Sequence, residues 1–135
     1  MDVVGAGDPD RAFKEVLALV GGRGADLVVE ATGVPAAVGE GLRLARRGGA
    51  YLVVGQYTDS GDAVINPHQI VHRQLDVLGS WAFTGAHLVR YVALLPALTS
   101  RFALADLVTT YPLEHHAQAL ADVARGAVMK AILRS

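Results

Sequence analysis

Apolar residues in this chain follow two patterns that alternate along the sequence. In four stretches they recur three and four positions apart, which is the spacing of one helix face: residues 9–20, 35–47, 86–100 and 113–125. Short, largely apolar runs typical of strands make up the second pattern: residues 26–30, 50–54, 75–83, 107–111 and 128–133. Apolar strands that alternate with helices predict an α/β fold, in which a parallel sheet is covered on both faces. The run at 26–30 is therefore predicted to be buried on both faces.

Turn-forming residues set the expected ends of these elements. Asp8 supplies a side-chain oxygen that can cap a helix, and Pro9 suits the first helical position. Paired glycines are expected to end the first two helices. Pro67 can begin a further short helix, whereas Pro96 is expected to kink or end the helix that contains it.

Composition narrows the classes of protein to consider. The chain has 135 residues, 52% hydrophobic and 19% charged, which is enough apolar material for one folded domain. A net charge of −1, without a lysine-arginine block, gives no indication of a nucleic-acid or membrane partner. The absence of cysteine excludes disulfides, thiolate zinc sites and a cysteine nucleophile. Without a signal peptide or a membrane-length apolar run, a cytoplasmic protein is expected.

One sequence motif suggests a phosphate site and another a metal site, but each lacks a residue that the site needs. The GAG at residues 5–7 resembles a phosphate-binding turn, but Asp10 stands where G-x-G-x-x-G needs its third small residue. His68 and His72 share a helical face, yet the glutamate of H-E-x-x-H is missing, so no metal site is predicted. The adjacent histidines at 115 and 116 would diverge by about 100° on a helix and cannot chelate together.

The carboxyl ends of the strands are where a parallel sheet binds ligands. Gly33 and Gly55 follow neighbouring strands, and either a tight turn or the close approach of a ligand explains them. Asp26 and Glu30 bracket the first of these strands, and a structural role is favoured for them over acid–base catalysis. Lys130 interrupts an apolar strand, so its amine must reach either solvent or an anion.

Three segments together resemble the C-terminal part of the zinc-type medium-chain alcohol dehydrogenases: GADLVVEATGVPAAVGEGLRLARRGGAYLVVGQ, LDVLGSWAF and YPLEHHAQALADVARGAVMKAILR. Their order and spacing carry the resemblance, which covers nearly the whole chain. In that family this region is the second half of the nicotinamide-binding Rossmann domain. The resemblance implies a partial Rossmann-like, doubly wound parallel sheet with flanking helices that lacks the first strands. Residues 1–135 would form an incomplete C-terminal nucleotide-binding domain.

The resemblance also implies which residues contact NAD or NADP. The turn beside the adenosine ribose corresponds to Ala31, Thr32 and Gly33. The backbone near the nicotinamide ring corresponds to Val54, Gly55 and Gln56. The strand end that holds the carboxamide corresponds to Ser80, Trp81 and Ala82. The basic residue that reaches the cofactor phosphates corresponds to Lys130.

Other parts of that family have no counterpart in this sequence. Its zinc ligands and proton relay belong to a separate catalytic domain, so neither zinc nor a catalytic residue is expected here. The glycine-rich first turn and the first two strands are also missing, and Val3 and Val4 match the end of the third strand. Residues 26–30 should then form an apolar sheet edge. Binding of NAD or NADP by this chain alone should be weak or absent.

Three functions are therefore considered, of which an independent nucleotide-binding module that uses Gly33, Gly55 and Lys130 ranks last. The first is an alcohol dehydrogenase-like, NAD(P)-dependent oxidoreductase domain, which transfers hydride only when an N-terminal part completes it. The second is a non-catalytic dimerisation or partner-binding module derived from that domain. The resemblance implies a second copy as partner, paired through an edge strand at residues 75–83; a complementary N-terminal fragment is the other expected partner.

Overall fold

The structure is a computed structural model and describes residue 4 and residues 8–135. The described residues form two compact units, which divide in sequence between Ala82 and Phe83. Val4 has no regular secondary structure. The predictions for Val3 and for residues 5–7 lie outside the described residues. A single domain over the whole chain stays a prediction.

The first unit contains a parallel sheet of three strands within its described residues. Its elements are α1 (Pro9–Leu19), β1 (Ala25–Glu30), α2 (Pro35–Leu44), β2 (Ala45–Val53), α3 (Pro67–Arg73) and β3 (Asp76–Gly79). The strands lie in the order β1-β2-β3 and are all parallel. The alternation of strands and helices confirms the α/β, Rossmann-like sheet expected from the sequence.

The second unit contains a parallel pair of strands. Its elements are α4 (Gly85–Thr99), β4 (Val108–Pro112), α5 (His116–Ala124) and β5 (Lys130–Arg134), with 3-10 turns at Leu104–Leu107 and Leu113–His115. Pro96 lies in the last turn of α4, so the helix ends within one turn of it, at Thr99. No helix among the described residues combines the length and the apolarity needed to cross a membrane.

The beginning and end of α1 follow the local signals in the sequence. The side chain of Asp8 accepts hydrogen bonds from the backbone N–H groups of Asp10 and Arg11, at 3.1 and 3.2 Å. These bonds satisfy donors that a helix N-terminus leaves without partners. Gly21 and Gly22 then adopt φ values of 65° and 76°, which end the helix. Both predictions for this helix are confirmed.

The end of α2 differs from the prediction, because the helix stops at Leu44 and does not continue to residue 47. A side chain from α3 explains the early stop. The guanidinium of Arg73 donates to the carbonyl oxygens of Leu42 (3.0 Å) and Arg43 (3.2 Å), and also to that of Ala45. Carbonyls in the last turn of a helix have no partner within the helix, so this arginine caps it.

The start of β2 is also earlier than predicted, at Ala45 rather than at residue 50. Ala25 of β1 pairs with Ala45, but two residues later Leu27 pairs with Ala50. Four residues of β2, 46–49, thus stand opposite the single residue Asp26 of β1, and the apolar pattern of the sequence does not signal this shift in register.

The core of the first unit lies on one face of the sheet. Its buried apolar side chains are those of Leu42, Ala45, Tyr51 and Leu75, against which Val28, Val38, Val53 and Ile70 pack. On β1, Val28 reaches this core, whereas Leu27 and Val29 are 54% and 50% exposed. The prediction that this strand is buried on both faces is wrong. Successive side chains point to opposite faces, and β1 lies at one end of the strand order.

The last strand of the sheet, β3, is shorter than the predicted run at 75–83. Leu75 is buried in the core ahead of the strand, which ends at Gly79. The N–H of Ser80 still donates to the carbonyl oxygen of Val53, at 3.0 Å. Ala82 then has a φ of 49°, a left-handed conformation that cannot continue a strand.

Candidate functional site

The predicted contact residues of the first unit lie at the carboxyl ends of its three parallel strands. They occupy three short segments: residues 31–33 after β1, 54–56 after β2 and 80–82 after β3. The N–H groups of Val54 and Gly55 both donate to the carbonyl oxygen of Glu30, at 2.9 and 3.0 Å. The N–H of Ser80 reaches Val53 in the same way. The structure thus brings nine of the ten predicted residues to the same end of the sheet, where the strands have their carboxyl ends.

One carboxylate, that of Glu30, organises the turn after β1. Its Oε1 accepts hydrogen bonds from the Thr32 N–H (2.7 Å), the Thr32 hydroxyl (2.7 Å) and the Gly33 N–H (2.9 Å). The Thr32 hydroxyl oxygen in turn accepts from the N–H of Val34, at 3.1 Å. Glu30 is only 5% exposed, so these donors take the place of water around its charge. The structural role predicted for Glu30 is confirmed.

These donors also determine the ionisation of Glu30. Hydrogen bonding, chiefly from the Thr32 hydroxyl, lowers the pKa of Glu30 below its usual value of 4.5, although burial acts in the opposite direction. Burial, aided by the nearby Glu30 charge, raises the pKa of Tyr51 to about 12. Glu30 Oε2 and Gln56 Nε2 are both buried without a close hydrogen-bond partner among the described residues. The Gln56 side chain is still near enough to help lower the pKa of Glu30.

Gly33 and Gly55 allow the first two strand ends to touch. Gly33 has a φ of 72°, which glycine adopts without steric cost. A Cβ added at Gly33 would lie 2.8 Å from the Gly55 carbonyl oxygen, and one added at Gly55 would lie 2.5 Å from the Gly33 nitrogen. Each glycine therefore leaves room for the backbone of the other. The sequence left two explanations for these glycines, a tight turn or the close approach of a ligand. The contact between the two backbones directly explains them as parts of tight turns.

The third strand end contributes an aromatic surface. Trp81 stacks on Tyr57, with ring centroids 4.8 Å apart and 12° between the ring planes. The two residues are 72% and 64% exposed, so most of their apolar area faces solvent. Sequence reasoning missed Tyr57, whose only signal is an aromatic residue within an otherwise polar loop, QYTDSGDA.

The stacked pair lines a recess of about 340 Å³ next to the strand ends. Pro35 and Val38 of α2 form an apolar part of its wall, and Gln56 contributes a polar part. This volume is at the lower end of the range for small-molecule sites. The recess is bounded by residues that follow two of the three strands.

Lys130 lies in the second unit, as the first residue of β5, and its side chain is exposed. Together with Met129 and Leu133 it lines a recess of about 320 Å³ along α5 and β5. The exposure meets the requirement that its amine reach water. An anionic partner for this lysine stays a prediction.

The second unit has a buried carboxylate of its own, Asp122, which is 7% exposed. It accepts a hydrogen bond of 2.7 Å from the Tyr111 hydroxyl and bonds of 3.1 and 2.5 Å from the Arg125 guanidinium. The Tyr111 bond, followed by that of Arg125, lowers the pKa of Asp122 below its usual 3.8. This network ties β4 to α5 and has a structural role.

Comparison with known proteins identifies the family. Residues 2–98 match the family described as zinc-binding dehydrogenase, which is more than half of the chain. The chain belongs to this family. The resemblance to the C-terminal part of the alcohol dehydrogenases, inferred from the sequence, is thereby confirmed.

Relatives of this zinc-binding dehydrogenase chain are longer than it is. The 5-exo-hydroxycamphor dehydrogenase of Pseudomonas putida is 30% identical over 128 residues, which are 94% of this chain and 36% of that protein. A solved alcohol dehydrogenase from Thermotoga maritima superposes with a TM-score of 0.82 at 29% identity, over 93% of this chain and 34% of that one. A solved NAD-dependent alcohol dehydrogenase gives 0.75 at 25% identity, over 96% and 36%. The chain spans about a third of the length of these relatives.

The family description mentions zinc, which proteins bind through histidine, cysteine, aspartate and glutamate side chains. Within residue 4 and residues 8–135, no three histidine, aspartate or glutamate side chains lie close enough to hold a metal ion. His68 and His72 stack on each other, with ring centroids 5.3 Å apart. The residues described here do not fit a zinc site, and no chemical step is assigned to zinc.

Proposed function

We propose that this chain supplies the cofactor-binding half of an alcohol dehydrogenase-like oxidoreductase. NAD or NADP would lie against the three strand ends, at residues 31–33, 54–56 and 80–82. The observation that carries the proposal is that these segments lie together at the carboxyl ends of the three strands, where Gln56 and Trp81 line a recess of about 340 Å³. The relatives support the cofactor class, because one of them is described as an NAD-dependent alcohol dehydrogenase.

The strand ends suit the planar rings of such a cofactor. The exposed stack of Tyr57 on Trp81 offers aromatic area at the rim of the recess. Gln56 adds a polar side chain to the wall of the same recess. An aromatic wall with a few polar groups is the usual composition of a small-molecule site.

The described residues leave few backbone N–H groups free to donate to the pyrophosphate of the cofactor. Asp8 occupies the first amides of α1, and Glu30 occupies those of Thr32 and Gly33. We assign Lys130 to the phosphates from the family resemblance. In the family, the glycine-rich first turn supplies backbone contacts to the pyrophosphate, and we expect two such contacts to be lost here. Their loss makes the free energy of binding less favourable by about 3–6 kcal/mol. That corresponds to about 10²–10⁴ in affinity, so we expect binding in the millimolar range.

The residues of this chain would bind and orient the cofactor, which when bound supplies or accepts the hydride. We propose that transfer to or from an alcohol or carbonyl substrate needs the parts of the relatives that this chain does not span. No residue of the chain is assigned a catalytic role. The cytoplasmic location expected from the sequence stays a prediction.

Fluorescence tests the cofactor site directly, because Trp81 is the single tryptophan of the chain. Titration with NADH or NADPH should quench it along a saturable curve with a dissociation constant of about 1 mM. Gln56→Leu should weaken this binding, whereas Gln118→Leu, at an exposed position on α5, should not. Calorimetry that shows no heat with either nucleotide up to about 10 mM would refute the site.

Complementation tests the oxidoreductase assignment separately. The chain would be mixed with an N-terminal fragment of the Thermotoga maritima relative, and the absorbance of the reduced nicotinamide followed with a panel of alcohols. We expect activity that depends on both fragments. Absence of activity at every mixing ratio, with the complex shown to form, would count against the assignment.

We also propose a second copy as partner, paired through the edge at residues 75–83. Val77 and Leu78 of β3 are 45% and 52% exposed, and β3 lies at one end of the strand order. An exposed apolar edge strand favours pairing with another chain. This association would need no nucleotide, so it is also the basis of the alternative function as a non-catalytic module.

Sedimentation can distinguish the two edges of the sheet. Val77→Lys should shift the chain towards the monomer, whereas the matched change Val29→Lys on β1 should leave the dimer intact. If only Val29→Lys disrupts assembly, the β1 edge is the interface and the proposed pairing through β3 is wrong. If the chain is monomeric at all concentrations, the proposed dimer is refuted.

A further inference from the structure

Glu30 connects more parts of the candidate site than any of the predicted contact residues does. Its side chain accepts three hydrogen bonds from Thr32 and Gly33, and its backbone oxygen accepts two from Val54 and Gly55. We propose that Glu30 is a positioning residue, whose ionised carboxylate fixes the turn after β1. Its effect on a cofactor rests on the function proposed above, although its hold on the turn does not.

The effect of Glu30 extends to the start of α2. The Thr32 hydroxyl has one proton, which it donates to Glu30, and its lone pairs remain to accept the Val34 N–H. Val34 is the N-cap of α2, and its side chain has no polar atom that could cap the helix. Removing the charge from Glu30 would weaken the first bond and free the hydroxyl to rotate away from the second.

The two strand ends leave little freedom for the turn. Neither Gly33 nor Gly55 has room for a methyl group, since the nearest backbone atoms would lie 2.8 and 2.5 Å from an added Cβ. A displaced turn would therefore collide with the loop after β2 or lose its contact with it. The hydrogen bonds of Glu30 select the one position in which the two backbones pack.

The same hydrogen bonds show why Glu30 acts indirectly. The Thr32 and Gly33 amides are already engaged by its carboxylate, so a ligand at this turn does not meet them as donors. Glu30 is also buried beneath the turn, at 5% exposure. A ligand would sense Glu30 through the shape of residues 31–33 and not by contact with the carboxylate.

The groups around Glu30 allow its ionisation to be measured. Tyr51 lies close to it but remains neutral, because its pKa is raised to about 12. Gln56 is uncharged, and among the described residues no other charged group contributes to the shift at Glu30. A titration seen at the turn in mildly acidic solution therefore reports on Glu30.

Nuclear magnetic resonance of the full chain tests this role. The amide signals of Thr32 and Gly33 would be followed from about pH 7 to about pH 3. We expect both to shift together in one titration below pH 4.5, the usual pKa of a glutamate. The shift should disappear in Glu30→Gln and persist in Glu40→Gln, a matched change at an exposed position on α2.

Two further readouts use the same variants. Hydrogen exchange at the Thr32 and Gly33 amides should accelerate about tenfold in Glu30→Gln, because neutral acceptors bind amides more weakly. The affinity for NADH should fall by about tenfold as well. Neither change is expected in Glu40→Gln.

The outcomes separate the two proposals. If Thr32 and Gly33 do not titrate, or exchange equally fast in Glu30→Gln, the positioning role is wrong. If both the original chain and Glu30→Gln bind NADH with the same measurable affinity, the effect of Glu30 on the cofactor is refuted. If the amides titrate as expected but no nucleotide binds to either chain, the role of Glu30 in the turn is supported and the proposed cofactor site fails.

Discussion

Gly55→Ala is expected to destabilise the first unit through a backbone clash. The added Cβ would lie 2.5 Å from the Gly33 nitrogen, 2.6 Å from the Thr32 nitrogen and 2.7 Å from the Ala31 carbonyl carbon, where ordinary contact begins at 3.4 Å. All three atoms belong to the backbone, so no side-chain rotation can relieve the overlap. Overpacking of this kind lowers the free energy of unfolding by about 1–3 kcal/mol, and we expect the upper part of that range.

Urea unfolding followed by the fluorescence of Trp81 measures this effect in the unit that contains the substitution. Gly79→Ala is the matched control, because no described atom lies within 4 Å of a Cβ there. Both changes restrict the unfolded chain equally. This raises the free energy of unfolding of each variant by about 0.4–1 kcal/mol, so it cancels when the two variants are compared. If the two variants unfold within about 0.5 kcal/mol of each other, the packing of Gly33 on Gly55 does not hold the strand ends together.

Three further outcomes are expected. Arg73→Met should lower the free energy of unfolding by about 1–3 kcal/mol, because the last carbonyls of α2 lose their donors, whereas the exposed Arg47→Met should change it little in the same urea assay. Tyr111→Phe should lower the urea midpoint of the second unit, and equal midpoints for it and the exposed Tyr91→Phe would contradict a stabilising bond to Asp122. The folded-state pKa of Asp122 lies below 3.8, so its stabilisation is present above that value and is lost as the pH falls through the folded pKa. Asp122→Asn should therefore flatten the acid side of the stability curve.

Features that depend on neighbouring residues could be predicted from the sequence. The cap at Asp8 and the strand ending at Glu30 need only local chemistry and the apolar pattern. The gathering of residues 31–33, 54–56 and 80–82 follows in turn, because the ends of adjacent parallel strands must lie along one edge. The position of Glu30 at the carboxyl end of its strand favours a structural role, and its hydrogen bonds to the next turn supply that role.

Features that depend on distant residues could not be predicted. The end of α2 at Leu44 is set by Arg73, which lies on another helix and reaches carbonyls about thirty positions earlier in the chain. The stack of Trp81 on Tyr57 joins two loops whose separation the sequence does not reveal. The exposure of Leu27 and Val29 does not follow from the sequence, because an apolar run looks the same whether one face or both are covered.

The two explanations of Gly33 lead to different expectations about ligand binding, and the contacts favour one of them. The space that a side chain at this position would need is filled by the Gly55 backbone, and the adjoining amides donate to Glu30. A ligand at the turn can therefore meet its outer surface, but it gains no donors from Thr32 or Gly33. Recognition would have to come from groups that remain available, such as the exposed rings of Tyr57 and Trp81. A substitution at Gly33 that weakens cofactor binding would accordingly act by displacing the loop after β2, and it should destabilise the first unit at the same time.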